Sequence, residues 1–495
     1  MAISNDMISG HRKLHFVLLP WLTTSHMIPM IDIGRMLAER GVTVTIVTTP
    51  ANAVALKPTI ARIADSGLPI KFVPLPFRSV EAGLPDGCEI ADNLPAFDML
   101  PNLYNAAKLL RQPLELLLRE QSTPLPPSCI LSGMCYPWVT EVARDLGIPC
   151  FIFHGFGSFA IYCMHNLYSY KPHEGAASAT EPFEIPGLPF QFEITRQHLP
   201  IFFQSMPKFM EMCKEVREGE LEMDGVIINS FDDLEPQYAE QLAGATGQKI
   251  LTIGPVSMCH RESSDMADRG RELSVDATRC LQWLDSMKPQ SVIYVSFGSV
   301  GSFSPAQLME LGHGLLAANR AFIWVVNGVQ RFPSEVQRWL QENFEEGGAD
   351  SRCLLIRGWA PQVLILSHPA VGGFMTHCGW NSTLESASAG VPMATWPLFA
   401  EQFLNEKLIV DVIGIGVAVG AKTAVQPFAP DDKASVKRET IADAVERLMD
   451  GGEEGEERRR RAKELKEKAR EAVEMGGSSF NNITLLMEFA KQPNN

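Results

Sequence analysis

The chain has 495 residues, 45% of them hydrophobic and 20% charged, and a formal net charge of −15. That length suits two domains of roughly 200–250 residues each, and the composition is that of an ordinary globular protein. The negative charge speaks against nucleic acid or an anionic membrane as partner, since both need clustered Lys and Arg, but it leaves a single bound nucleotide open.

The ten cysteines are scattered from Cys88 to Cys378 without a CxxC pair, so neither a zinc ribbon nor a disulfide framework is indicated. Reduced thiols in the cytosol are the simple reading. Residues 1–13 are polar, and the apolar run behind them, 14–22, is short and flows into a helix pattern instead of a cleavage site. The longest apolar stretch, 147–163, carries His154 and glycines and falls short of a bilayer span. The expectation is a cytoplasmic monomer without signal peptide or membrane insertion.

Taken in order, residues 15–20 read as a buried strand, Thr23-Thr24-Ser25 as a turn, 26–39 as an amphipathic helix stopped by Gly41, and 42–48 as a second strand. That is the βαβ unit that opens a parallel sheet. The alternation continues with a strand at 70–74, a helix at 101–120, a strand at 129–131, a helix at 138–146 and a strand at 149–154. Residues 182–200, rich in Pro and Phe, read as an irregular covering loop, 206–222 as a helix, and 225–229 as the last clear strand of the first half. A polar, charge-mixed run at 259–272 reads as a mobile linker or surface loop.

The alternation then restarts: strands at 291–296, 321–326, 353–357 and 417–419, with a helix at 305–318. Residues 453–474 include Arg458 to Arg461, yet acids and bases alternate at helical spacing, which reads as a solvated helix face. The expected division is a first α/β domain over 1–254, a linker over 255–275, a second α/β domain over 276–478, and a terminal helix over 479–495.

The most informative stretch runs from Trp359 to Gln402. Its apolar run 370–375 ends in Thr376-His377-Cys378-Gly379-Trp380-Asn381-Ser382, after which 383–389 reads as a helix of small residues. Strand, tight turn and helix in that order aim unpaired N–H groups and the positive end of the helix dipole at whatever sits above the turn. Gly379, Asn381 and Ser382 let a phosphate approach the backbone, and His377 can donate to it. Trp359 offers a flat face for a base, Gln362 and Glu385 suit vicinal ribose hydroxyls, and Glu401-Gln402 suit sugar hydroxyls. Singly, each has an ordinary structural reading.

Together, and without a gap over the whole stretch, they closely resemble the signature box of the plant family-1 UDP-glycosyltransferases. The resemblance implies a glycosyltransferase B fold, α/β with two facing Rossmann-like domains, and a terminal helix that returns to the first of them. It implies that Trp359 stacks on uracil with the Ala360 backbone beside it, and that Gln362 and Glu385 hold the ribose. His377, Asn381 and Ser382 would hold the phosphates, with the hydroxyl of Ser299 in the Ser296-Phe297-Gly298-Ser299 turn. Trp380, Glu401 and Gln402 would hold the sugar. A terminal Gln is the family's mark of glucose, so UDP-glucose is the expected co-substrate. No DxD pair lies near the box, so no metal or other cofactor is expected and donor binding rests on helix dipole and hydrogen bonds.

The acceptor needs a base, and histidine titrates in the right range. His26 follows the first strand at the carboxyl edge where an open α/β sheet binds ligands. Its context, Ser25-His26-Met27-Ile28-Pro29, is similar to the family's Gly-His-x-x-Pro stretch, which implies that His26 is the catalytic base. Here the chain departs from the family: where members carry Ser-Asp-x-x-x-x-Trp, it reads Ser132-Gly133 and then Met134 to Trp138. The carboxylate that would hold the second ring nitrogen of His26 is replaced by Gly133. In the serine-protease template that loss costs about 10⁴ in rate. Another group, Ser132 being nearest in sequence, can orient His26; or the acceptor can be acidic enough, as a phenol is, to need little help; or turnover is poor.

Trp21, Phe97, Trp138, Phe156, Ile201 and Phe202 are the candidates for a greasy acceptor cleft in the first half. The function expected is inverting O-glucosylation of a small lipophilic plant metabolite, a flavonoid or other phenol ahead of a triterpenoid or steroid. The alternatives are a C-glycosyltransferase on polyhydroxylated aromatics and a nucleotide-sugar-binding protein with little transferase activity.

Overall fold

The computed structural model describes residues 13–119, 125–200, 203, 207–267, 269–270, 272–275, 277–299, 303–345, 352–425 and 434–491. Two parallel sheets dominate it. The first is built from β1 (His15–Leu19), β2 (Thr43–Thr48), β3 (Ile70–Pro74), β4 (Cys129–Gly133) and β5 (Cys150–His154), followed after a small hairpin, β6 (Pro182–Glu184) and β7 (Glu193–Thr195), by β8 (Gly225–Ile228) and β9 (Lys249–Thr252). Its strand order is β3-β2-β1-β4-β5-β8-β9. The second holds β10 (Val292–Ser296), β11 (Ala321–Val326), β12 (Cys353–Arg357), β13 (Val371–Thr376), β14 (Met393–Thr395) and β15 (Gly416–Ala418), in the order β12-β11-β10-β13-β14-β15.

The central strands β1, β4, β5, β10 and β13 are buried along their whole length, because helices cover both faces of each sheet. Each sheet reverses its strand order once beside its first strand, between β1 and β4 and between β10 and β13. Open α/β sheets bind ligands outside the carboxyl ends of such strands. Leu19 pairs with Ser132 at one reversal and Ser296 with Thr376 at the other. The helix carrying His26 leaves the first of these points, and the signature turn leaves the second.

The strands expected at 70–74, 321–326 and 353–357 form over those same residues. Other boundaries moved. The first helix is Thr24–Ala38, so His26 lies in its first turn instead of at its start. The helix expected over 101–120 is two, Leu100–Lys108 and Arg111–Arg119. β9 and β14, missing from the sequence reading, are four and three residues long, too short to show a period. The Pro- and Phe-rich loop contains the β6–β7 hairpin.

The run at 259–272, exposed at 261–263 as a surface loop would be, is nonetheless anchored by its other described residues. Helix Ser263–Ala267 forms within it, His260 is buried, the Arg269 side chain is only 9% exposed, and Asp265 pairs with Arg35 at 2.8 Å. Its charges face charges on the two sheets' helices, and that is why it lacks core residues. The terminal helix, Ser478–Phe489, returns to the first sheet: Ser479 Oγ donates to Gly254 O at 2.5 Å, Asn482 Nδ2 to Thr252 O at 2.8 Å, and Ile483 and Leu486 are buried. The helix Glu453–Val473 carries the expected i,i+3 and i,i+4 pairs of Glu457 with Arg460 and Arg461. Among the described residues no helix is long and apolar enough to cross a membrane.

Candidate active site

A cleft of about 250 Å³ lies where the two sheets' carboxyl edges face each other, and it is lined from both sides: by His26 and Phe156 from the first, and by residues of the Trp359–Gln402 stretch from the second. All twelve residues singled out in the sequence, His26, Ser299, Trp359, Ala360, Gln362, His377, Trp380, Asn381, Ser382, Glu385, Glu401 and Gln402, line this one cleft.

The helix Trp380–Ala389 starts at the turn after β13, with Gly379 in extended conformation as its cap. Its first N–H groups have no intrahelical acceptor by construction. Beside them the His377 ring is clasped by the glycine turn: a Cβ on Gly298 would lie 2.7 Å from His377 Nε2, and Gly298 has φ +75°, where a side chain is strained in any case. Asn327 Nδ2 fixes that turn by donating to Gly298 O at 2.7 Å. Burial alone lowers the His377 pKa to about 4, so the ring is neutral at pH 7 and offers one donor; its Nδ1 has no partner.

Farther along the cleft the polar groups hold one another. Gln362 Nε2 donates to Ser382 Oγ at 3.1 Å and to Glu385 Oε2 at 2.7 Å, and Gln362 Oε1 accepts from Tyr294 at 3.3 Å. Glu385 Oε1 accepts from Arg269, whose Nε pairs with Asp32 Oδ2 at 2.8 Å. This guanidinium, from the linker, bridges a helix of each domain. Burial opposes the charge on both Asp32 and Arg269, yet their mutual attraction wins: the Asp32 carboxyl lies below the usual range and Arg269 is raised. Trp359 is tied to the same strap, its indole N–H donating to Arg269 O at 3.3 Å and Gly270 packing against its ring.

At the Glu401-Gln402 end of the cleft, Gln402 Oε1 accepts two backbone N–H groups, Leu398 at 2.8 Å and Phe399 at 3.0 Å, which leaves its NH₂ as the end free to donate. Burial pushes the Glu401 carboxyl up to about 7 against bonds from its own backbone, Asn405 and the Trp380 amide, so at neutral pH it is partly protonated and can donate as well as accept. The Trp380 indole is committed elsewhere, its N–H donating to Asn229 O at 2.7 Å across the interface. Asn381 Nδ2 likewise reaches across to Ser25 O at 2.6 Å, beside His26.

His26 is 7% exposed, with its ring packed on Gly155, where a Cβ would lie 2.6 Å from Nε2, and edge-on to Phe156 at 6.4 Å. Burial, then repulsion from His154, lower its pKa to about 4, with Asp92 acting the other way. Ser132 does not orient it: that hydroxyl donates to Gly133 O at 3.1 Å. Of the proposed acceptor residues described, only Phe156 lines the cleft; Trp21 and Trp138 pack edge-on against Tyr136 at 5.6 and 5.8 Å and belong to the core, and the half-buried Phe97 stacks on Phe209 at 5.4 Å against that core. Ile201 and Phe202 lie outside the described residues.

The sequence reading missed Arg269, Asp32, Tyr294 and Asp92. A lone Asp in the run Ile31-Asp32-Ile33 was the one available signal, since a carboxylate on a buried face requires a partner. Among the described residues Asp32, Cys259 and His260 come close enough to suggest a metal set. However, Asp32 is held by Arg269 and His260, and Arg35 lies 3.4 Å from His260 Nδ1, so cations of the protein already balance that charge.

Comparison with known proteins agrees with this geometry. The family of UDP-glucoronosyl and UDP-glucosyl transferases matches residues 273–428. UDP-glycosyltransferase 73E1 of Stevia rebaudiana is 46% identical over 98% of both chains, and UDP-glycosyltransferase 73D1 of Arabidopsis thaliana is 44% identical over the same shares. Among solved structures, Glycyrrhiza uralensis UGT73P12 complexed with glycyrrhetinic acid 3-O-monoglucuronide superposes with a TM-score of 0.89 at 40% identity, covering 97% of this chain and 96% of that one. Arabidopsis thaliana UGT89C1 complexed with UDP gives 0.75 at 28% identity, covering 97% and 100%. The two-sheet architecture with its facing carboxyl edges is the glycosyltransferase B fold, and the chain belongs to the plant UDP-glycosyltransferases, family 73. It is an enzyme that transfers a sugar from a UDP-sugar to a small molecule.

Proposed function

We propose that the enzyme transfers glucose from UDP-glucose, with inversion, to the hydroxyl of a small lipophilic plant metabolite in the cytosol, phenols and flavonoids ahead of triterpenoid or steroid alcohols. The observation that carries this reading is the placing of His26 and the start of helix Trp380–Ala389 on opposite walls of one cleft. The diphosphate sits at that helix start, against the N–H groups, His377, Ser382 and Ser299, where the dipole and hydrogen bonds neutralise it without a metal. Trp359 and Ala360 take the uracil, Gln362 and Glu385 the ribose, and Glu401 with the NH₂ of Gln402 the glucose hydroxyls.

The acceptor oxygen bonds to the anomeric carbon as the bond to the diphosphate oxygen breaks; the electron pair leaves with UDP and the proton passes to His26. A single displacement accounts for inversion. The carboxylates of the cleft are already engaged, Glu385 by Gln362 and Arg269 and Glu401 by Asn405, which disfavours a carboxylate nucleophile. Phenols come first because a base whose pKa burial holds near 4 takes protons best from an acidic donor. The second reading, an alcohol, is favoured by the Glycyrrhiza uralensis neighbour and its glycyrrhetinic acid 3-O-monoglucuronide.

The test is mass-spectrometric: UDP-glucose is offered with phenols, flavonoids, triterpenoids and steroids, and each product is then treated with acid. An acid-labile gain on phenols is expected. A gain only on alicyclic alcohols selects the second reading, an acid-stable gain means C-glycosylation, and no gain from UDP-glucose with gain from another UDP-sugar overturns the donor assignment.

A further inference from the structure

His26 lacks the carboxylate that the family resemblance leads one to expect, and the fold forbids its return. A Cβ on Gly133 would land on Trp21 N and lie 3.2 Å from Leu19 O, both backbone atoms that cannot step aside. Ser132 spends its hydroxyl on Gly133 O. Among the described residues His26 Nδ1 is buried without a partner. Proton transfer nevertheless creates an imidazolium there, in a site from which water is largely excluded, and a buried cation needs a counter-charge.

One carboxylate is built into the start of the same helix. Asp92 lies in the short turn Ala91–Asn93, is 3% exposed, and accepts the Thr24 N–H on Oδ1 at 3.2 Å, two residues before His26. The turn is pinned to the loop after β1, Ala91 N–H donating to Leu22 O at 2.8 Å. The Ala91–Asn93 turn is thus fixed at two points, Leu22 and Thr24, just ahead of His26. The other charged or titratable group acting on His26 is His154, at the end of β5 and 3.7 Å from Glu220; it opposes an imidazolium, whereas Asp92 favours one.

We infer that Asp92 is the positioning carboxylate of His26: it caps the helix that presents the base and supplies the negative charge for its imidazolium, replacing the group that Gly133 cannot carry. The inference rests on His26 being the base, as proposed above. The proton taken from the acceptor remains on His26 until product leaves.

The experiment is a set of pH profiles of kcat and kcat/KM, with UDP-glucose and a phenolic acceptor found in the panel, for the wild type, Asp92→Asn, Asp92→Glu and His26→Ala. Asparagine keeps an Oδ1 to accept the Thr24 N–H and is an equally good cap, so it removes the charge alone. Expected for Asp92→Asn are an unchanged KM for UDP-glucose, a kcat lower by about 10–100-fold, less than the ~10⁴ of a directly bonded partner, and an acid limb of kcat/KM moved to lower pH. Asp92→Glu, which keeps the charge, should leave the limb near its wild-type position. Wild-type kcat with an unmoved limb in Asp92→Asn overturns the inference and makes Asp92 a cap only. If Asp92→Asn does not fold, Asp92→Ser, an uncharged cap, takes its place with the same two outcomes. Full transfer by His26→Ala would instead sink the assignment of the base, a failure that the Asp92 variants do not imitate.

Discussion

The two walls of the cleft are built in opposite ways. On the donor wall Gln362, Ser382, Glu385, Arg269 and Asp32 form a continuous chain of hydrogen bonds and ion pairs, and Gln402 is set by two backbone N–H groups. On the base wall His26 rests on Gly155 and Phe156 with one ring nitrogen unsatisfied. The donor wall is preorganised by direct bonds between neighbours; the base wall is held by packing and by charges on segments distant in the chain. Binding of the nucleotide should therefore survive changes at the base, whereas transfer should not survive them.

The sharpest way to break that contrast is His26→Ala. Transfer should fall about 10²–10⁴-fold, the usual contribution of a general base, while the UDP dissociation constant by calorimetry stays within about twofold. Loss of UDP affinity would mean that the walls are one unit. Arg269→Met comes next. It removes the guanidinium shared by the buried Asp32 and Glu385, leaving them only their His260 and Gln362 bonds, at a cost of about 3–5 kcal/mol, to be read from urea unfolding; an unchanged midpoint would show that the strap does not tie the domains.

Gly133→Ala drives a methyl onto the Trp21 backbone and should cost about 1–3 kcal/mol with no gain in activity. Gly133→Asp should be worse, and a gain in transfer from it would mean that the loop before Trp21 can move. Gly298→Ala should weaken UDP binding roughly tenfold, about 1–2 kcal/mol, by displacing the His377 ring, with kcat at saturating donor little changed.

The smallest effect concerns pH. His26 acts as a base only when neutral, and its pKa is depressed from 6.5 to about 4, so the acid limb of kcat/KM that belongs to this ring should appear only as pH drops through about 4. An acid limb near 6.5 would mean that the ring is far better solvated than its 7% exposure allows.

Much of this was legible in the sequence, for a local reason. Ten of the eleven residues expected on the donor wall fall in one stretch of strand, turn and helix, 359–402, so residue types at fixed spacing define it, and all eleven, Ser299 included, line the cleft. The alternation of buried strands and helices declared the fold equally well, because a strand buried on both faces is apolar throughout. The strap was misread because ion pairs between distant segments look, in sequence, like solvated charge: the partners of Arg269 lie far along the chain, at Asp32 and Glu385. Trp21, Phe97 and Trp138 were misread because an aromatic side chain in the core and one in a pocket have the same composition.

By itself the sequence determined the two α/β halves and the strand, turn and helix of the Trp359–Gln402 stretch, since periodicity and local geometry decide those; His26 as the base came from the family resemblance. Only the tertiary structure decided what surrounds the base: that Gly133 has no room for a side chain, that Ser132 is engaged with its own strand, and that Asp92 meets the helix start. Each depends on the approach of segments distant in the chain to within a few ångströms, which no spacing in one segment encodes.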